Sequence, residues 1–448
     1  MYQMTNKIKM TSLILIVLGA IGVSAGFLST PNSVEEVKQQ MEASHNGHGG
    51  DHAASTDQSA HAAADNHADE STEHAEKAGH KSHAEHAYTF LKNKPWSALF
   101  VAILFFLLIS LGAFVFYVIQ HVSQAGWSPV LFRVMEAISS YIVPGGILVY
   151  IFLVLSSLHL NHLFVWMDPE TVANDPVIQG KTGYLNIPFF LIRAAVYIGG
   201  WIAFRRLIIK NENKQDDGYD QKLYKKNITY SVLFLAFFAI TESMMSWDWI
   251  MSIDTHWFST LIGWFVFASM FVSGITTIAL ITVHLKSKGY LEFVNDSHIH
   301  DLAKFMFGIS IFWTYLWFAQ FMLIWYANMP EEAVYYVTRM EDYQLLFLGS
   351  VVLNFVFPLL ILMNSDFKRV NWIVTFAGII ILLGHYINFY VLIMPGTVAG
   401  QWSISFAEIG ALLLVAGLFL YVVFNALSKK SLLAENNPLI KESKQYHY

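Results

Sequence analysis

Ten stretches of roughly 20 apolar residues recur along the chain, at about 11–28, 97–120, 138–160, 186–207, 229–246, 258–283, 303–327, 344–363, 371–393 and 404–427. Each is long enough to cross the hydrocarbon layer of a bilayer as a helix. Without water, a crossing segment must satisfy every backbone N–H and C=O internally, so only helices and closed barrels span. Runs of this length select helices. The composition agrees: 55% of residues are hydrophobic and only 13% charged, a balance that soluble multi-domain chains do not show. The fold class expected is an all-α integral membrane protein with ten transmembrane helices.

Basic residues choose the orientation. With the N-terminus inside, the inside segments hold Lys7, Lys9, Arg133, the group from Arg205 to Lys226, then Lys286, Lys288, Lys304, Lys368, Arg369 and the tail lysines from Lys429 onward. Apart from the long first loop, the outside segments hold only Lys181 and Arg339. This obeys the positive-inside rule at every crossing. Both termini are therefore expected in the cytoplasm. Lys7, Lys9 and the apolar run ending near Val23-Ser-Ala25 also look like a secretory signal. The run reaches Phe27, long for a signal, so residues 1–28 are expected to stay as an anchor.

Residues 29–95 are of another composition. Nine of the 18 histidines fall between His45 and His86, diluted in Ala, Gly, Ser, Asp and Glu. Their irregular spacing fits no tetrahedral metal site, and no apolar period supports a core. A flexible outside linker with weak metal affinity is expected. The chain has no cysteine, so it holds no iron–sulfur cluster, thiolate haem or covalently attached c-type haem.

The crossing between spans five and six, Glu242–Gly263, is the densest in chemistry. It packs Glu242, Asp248, Asp254, His256, Trp247, Trp249 and Trp257 between two apolar helices. Tryptophan favours the headgroup level, and carboxylates at that depth are costly unless paired, hydrated or used. An interfacial anchor and a functional site both remain open. Arg193 and Glu242 lie at similar depths below the outside ends of spans four and five and are expected to pair. With His159, Asp168, Asp248, Asp254 and His256 they form a candidate proton-transfer rim. A second set, Gln320, His385 and Glu408, lies in the outer halves of spans seven, nine and ten. His121, Glu136, His284 and Asp301 mark inside span ends, where capping or snorkelling is the default. Pro144-Gly145-Gly146 and Gly199-Gly200 interrupt spans three and four.

Phe164-Val-Trp-Met-Asp-Pro-Glu170 and Ile324-Trp-Tyr-Ala-Asn-Met-Pro-Glu-Glu332 echo each other at the ends of spans three and seven. The echo suggests two four-helix bundles: spans two to five over 96–257 and six to nine over 258–393. Span one, span ten (394–428) and a tail at 429–448 would be peripheral.

The runs Trp247-Asp-Trp-Ile-Met-Ser-Ile-Asp-Thr-His-Trp-Phe-Ser-Thr260, Tyr184-Leu-Asn-Ile-Pro-Phe-Phe-Leu-Ile-Arg193 and Trp325-Tyr-Ala-Asn-Met-Pro-Glu-Glu332 are similar to the NrfD-like family of polysulfide-reductase-type membrane subunits, including those of alternative complex III, a bacterial quinol:cytochrome c oxidoreductase. The resemblance covers nearly everything after residue 95. It implies ten helices in two four-helix bundles. It also implies partners: a multihaem cytochrome c subunit, an iron–sulfur subunit, a sister NrfD-like subunit, a monohaem cytochrome, small membrane subunits and a terminal oxidase. Quinol, as menaquinol or a related compound, would give its electrons to clusters and haems in those partners. The rim residues would be candidates for proton transfer or quinone contact. Other readings differ in class: a structural scaffold of such a complex, a cation transporter fed by the His-rich loop, and a b-type haem protein using His159 with His385.

Overall fold

The protein's structure, a computed structural model, describes residues 2–31, 33–38 and 71–447, with backbone alone for 71–86. Among the described residues it is all-α, with ten helices long and apolar enough to cross a membrane. In chain order these are α1 (Asn6–Leu28), α2 (Ser71–Val122), α3 (Phe132–Ser139) with α4 (Ile142–Ser157), then the short α5 (Pro169–Asn174) and α6 (Pro176–Lys181). There follow α7 (Ile187–Gln215), α8 (Gln221–Trp249), α9 (Ile262–Ser287), α10 (Asp296–Ala327) and the connecting α11 (Pro330–Glu341). The chain closes with α12 (Gln344–Val351), α13 (Phe357–Leu362), α14 (Asn371–Val398), α15 (Phe406–Leu427) and a tail helix α16 (Ile440–Gln445).

Polar caps start several spans where the apolar runs begin. Asn186 accepts from the Phe189 amide at 3.0 Å with Pro188 in the first turn, and Asp220 accepts from the Lys222 amide at 2.8 Å. Asn295 with His298, and Ser405 with Glu408, form reciprocal capping boxes that satisfy otherwise orphaned donors.

Packing sorts the spans into two rings. Helices α2, α4, α7 and α8 close a first four-helix bundle, and α9, α10, α12–α13 and α14 close a second. Helix α2 also packs on α9 and α14, joining the rings, so the most apolar windows of α2 and α9 are 94% and 89% buried within the protein. The corresponding window of α1 is 17% buried, because α1 lies outside both rings against α15. Glycine permits that pairing: a Cβ on Gly22 would stand 2.8 Å from the Gly410 Cα. Close backbone approach through small residues replaces the hydrophobic drive that lipid cannot supply. For brevity, the end holding residues 249–262 is the crossing end; the other is the tail end.

Three local features depart from the sequence reading. Helix α2 is described from Ser71 onward, so the last part of the segment expected as a flexible linker is helical. Its Ala, Glu and Lys are good helix formers, and it runs straight into the second span. The rest of the His-rich stretch, including any metal affinity, lies outside the described residues. Span three, expected as one run, is split at Ser140–Tyr141, and Pro144 falls in the first turn of α4, where a missing N–H costs little. Span eight carries a π-helical turn at Val352–Val356.

At the tail end the residues after span ten reach back across the molecule. Ser443 Oγ donates to the Trp127 carbonyl at 2.7 Å and accepts from the Val130 amide at 3.2 Å. Its carbonyl lies 3.0 Å from His298 Nε2, and the Tyr446 hydroxyl donates to Asp301 at 2.6 Å. The tail thus joins the loop after α2 to the start of α10.

Candidate functional site

Arg193 sits in the second turn of α7, buried, and its long side chain reaches back toward the crossing end as buried cations do. There it meets Asp248, one residue before α8 stops. Nε donates to Asp248 Oδ2 and Nη2 to Oδ1, both at 2.8 Å, a bidentate pair on a carboxylate of 0% exposure. The Tyr197 hydroxyl donates to Oδ2 at 3.0 Å, and Arg193 Nη1 donates to the Tyr184 carbonyl at 3.0 Å. The guanidinium also lies over the rings of Tyr184 and Phe189, at 3.9 and 4.3 Å. The expected partner, Glu242, is not the one used. Reach along the helix, not equal depth, decides the pairing.

Glu242 lies on a different face of α8, about six residues deeper and 4% exposed. Its Oε1 accepts from Ser246 Oγ at 3.2 Å, and no ion pair to it is found among the described residues. Next to it, Thr241 Oγ1 accepts from Trp201 Nε1 at 3.0 Å. The first bundle therefore holds, under the crossing end, an ion pair, a carboxyl with one hydroxyl partner, and a tyrosine and tryptophan that bond across α7 and α8.

A second polar cluster fills the tail end of the same bundle. Glu136 accepts from Arg133 at 2.9 and 3.0 Å and from Lys430 at 3.0 Å, with Tyr117 at 3.5 Å. Arg133 also bridges to Asp216, Arg205 donates to Ser139 at 2.8 Å, and Glu212 accepts from Asn227 at 3.1 Å. Between the clusters lies an aromatic layer: Phe234 packs on Phe114, Phe204 and Phe238 at centroid distances of 4.7, 5.9 and 5.8 Å.

No protein-family model matches the chain, and no curated protein matches it. The resemblance to NrfD-like subunits rests on the residue runs quoted above.

The exposed members of the rim do other work. Asp168 caps α5: it accepts from the Glu170 and Thr171 amides and from the Thr171 hydroxyl at 2.6 Å. The hydroxyl, with those amides, holds its carboxyl below the ordinary range. Asp175 caps α6 and pairs with His256 at 2.7 Å. Partial loss of water pushes Asp175 upward, but the Ile178 and Val177 amides and the His256 ring outweigh it and hold it low. His159 is exposed at φ 58°, the left-handed stop of α4, and Asp254 is half-buried after the short turn Met251–Ile253. These residues line the same end of the bundle without converging on one point.

The second set also separates. Gln320 accepts from Ser259 Oγ, beside a cavity in the second bundle. His385 is fully buried in the middle of α14 with neither ring nitrogen hydrogen-bonded, edge-on to Trp313 at 5.4 Å. Glu408 is spent on its capping box, accepting from the Ser405 amide at 2.8 Å, with Lys94 at 3.9 Å. His159 and His385 stand in different bundles, one exposed and one buried, so they do not face each other across a haem. Sequence reasoning passed over Asn354, buried in the π turn with its carboxamide unbonded, and Arg339, taken there only as an outside charge. A polar residue inside an apolar run is the signal for the first. The second has none, because its neighbours come from three distant segments.

Proposed function

We propose that this chain is a membrane subunit of an NrfD-like quinol:cytochrome c (or quinol:oxidase) oxidoreductase, serving proton transfer at the crossing end of its first bundle. Quinol oxidation releases two electrons and two protons. The electrons go to clusters and haems in an iron–sulfur subunit and cytochrome subunits, and the protons need titratable groups that open toward water. The observation that carries the reading is Glu242: a buried carboxyl with one hydroxyl partner, in the same helix as the Arg193–Asp248 pair and on the crossing-end side of the phenylalanine layer. An ionisable residue so placed in a membrane is a functional candidate, and a dry aromatic layer below it favours exchange with one side only. Asp248, held by Arg193 and Tyr197, would set the field at Glu242 and orient the Tyr184–Arg193 segment against a quinone head. The crossing end would face the periplasm.

The test is made in the assembled complex. Glu242→Gln is expected to slow quinol oxidation and proton release together while subunit composition stays intact. Unchanged turnover and proton yield with an intact complex would refute the reading. That result would favour a scaffold, which the caps at Asp168, Asp175 and Glu408 also support.

A further inference from the structure

The second bundle contains a cavity of about 40 Å³ at its crossing end, between α9, α10, α11 and α14. Its walls are mainly aromatic and aliphatic, and one of them is layered. The Trp257 and Tyr335 rings stack at 3.7 Å and 9°, and the Arg339 guanidinium lies over Tyr335 at 3.3 Å. Arg339 is 2% exposed. It spends Nη1 on the Tyr335 carbonyl at 2.8 Å and Nη2 on the Leu392 carbonyl at 3.5 Å, while Nε has no partner. No ion pair to Arg339 is found among the described residues, in contrast to Arg193 and Arg133, each of which has a carboxylate. Gln320 and Asn388 bring carboxamides to the same cavity.

A buried guanidinium without a counter-anion is expensive. We infer that this cavity is a binding site for a compact oxyanion, the carboxylate head of an acyl chain, with Arg339 as its counter-charge. Size selects the head: 40 Å³ is room for about three waters. A carboxylate, the most compact of the lipid oxyanions, makes the smallest demand on that space. The walls select the tail. Leu261, Trp317 and Gln320, which line the cavity, are themselves partly exposed, so it opens toward the apolar surface where a chain can lie. This inference goes beyond the quinol reading and does not depend on it, because the site is in the other bundle and uses none of the same residues.

The full chain in detergent is titrated with oleate, oleyl alcohol, acetate, phosphatidylglycerol and decylubiquinone, reading thermal stability and bound mass by native mass spectrometry. Oleate is expected to bind and stabilise, oleyl alcohol and acetate to bind at least roughly tenfold more weakly. Arg339→Gln should lose the difference between oleate and oleyl alcohol. Gln320→Leu, a milder change at the same cavity, should weaken oleate binding if Arg339→Gln fails to fold. Equal binding of oleate and oleyl alcohol, or oleate binding unaffected in the folded variants, overturns the proposal. Preference for acetate overturns the acyl tail, and preference for phosphatidylglycerol or decylubiquinone overturns the carboxylate.

Discussion

Stripping the charge from Asp248 is the sharpest perturbation available. Asp248→Asn keeps the shape of the side chain and one acceptor but leaves Arg193 buried without its counter-charge. Removing one member of a buried pair costs about 3–5 kcal/mol. The guanidinium keeps its place over Tyr184 and Phe189 and its bond to the Tyr184 carbonyl, and such cation–ring contacts retain roughly 1 kcal/mol. The expected loss is therefore about 3 kcal/mol, at the low end of that range. Arg193→Met with Asp248→Leu replaces the pair by apolar groups and should cost less than Asp248→Asn alone, since replacing both members of a buried pair is often nearly neutral. Tyr197→Phe removes one donor to a charged acceptor and should cost about 1.5 kcal/mol. The assay is reversible unfolding of the full chain in mixed micelles with a denaturing detergent, followed by far-ultraviolet circular dichroism. Additive losses, with the double variant as damaged as the sum of the singles, would refute the assignment of the pair as a coupled tie.

Other outcomes follow from the same structure. Gly22→Leu should push α1 off α15 and cost about 1–3 kcal/mol, read as a lowered unfolding midpoint with earlier protease cleavage near α1. Asp168 is held low by the Thr171 hydroxyl and the helix amides, so its contribution is present above the ordinary carboxylate range and fades as pH falls through its lowered value. Protease cutting at 168–182 should thus rise only below about pH 4, and Asp168→Ala, which loses about 1 kcal/mol of capping, should show it at neutral pH. Tyr446→Phe removes the bond to Asp301 and should loosen the tail by roughly 1–2 kcal/mol, seen as faster hydrogen exchange at 440–447; unchanged exchange would mean the tail is held elsewhere.

Span number and order were legible because crossing a bilayer demands long apolar runs, and such runs are local. Bundle membership was legible more faintly, through the Pro-Glu echo at residues 169–170 and 330–331. The capping roles of Asp168 and Glu408 had local signals, Asp-Pro-Glu-Thr and Ser-Phe-Ala-Glu, but membrane context drew attention to charge instead. The partner of Arg193 was not legible: it depends on which way a long side chain turns, and two carboxylates six residues apart in α8 were both in range. Nor could sequence place Arg339, since its cavity is assembled from α9, α10, α11 and α14. The helix over 71–95 was not legible from apolar periodicity, because an Ala-, Glu- and Lys-rich run can be helical without an apolar face.

The tail contact sets an order of events in biogenesis. Residues 440–446 leave the ribosome only after all ten spans, yet they bond to Trp127 and Val130 after α2 and to His298 and Asp301 in the first turns of α10, all made long before. Until they arrive, the loop after α2 and the start of α10 each carry unmet donors or acceptors at the membrane surface. A nascent chain stalled before them would leave those groups exposed.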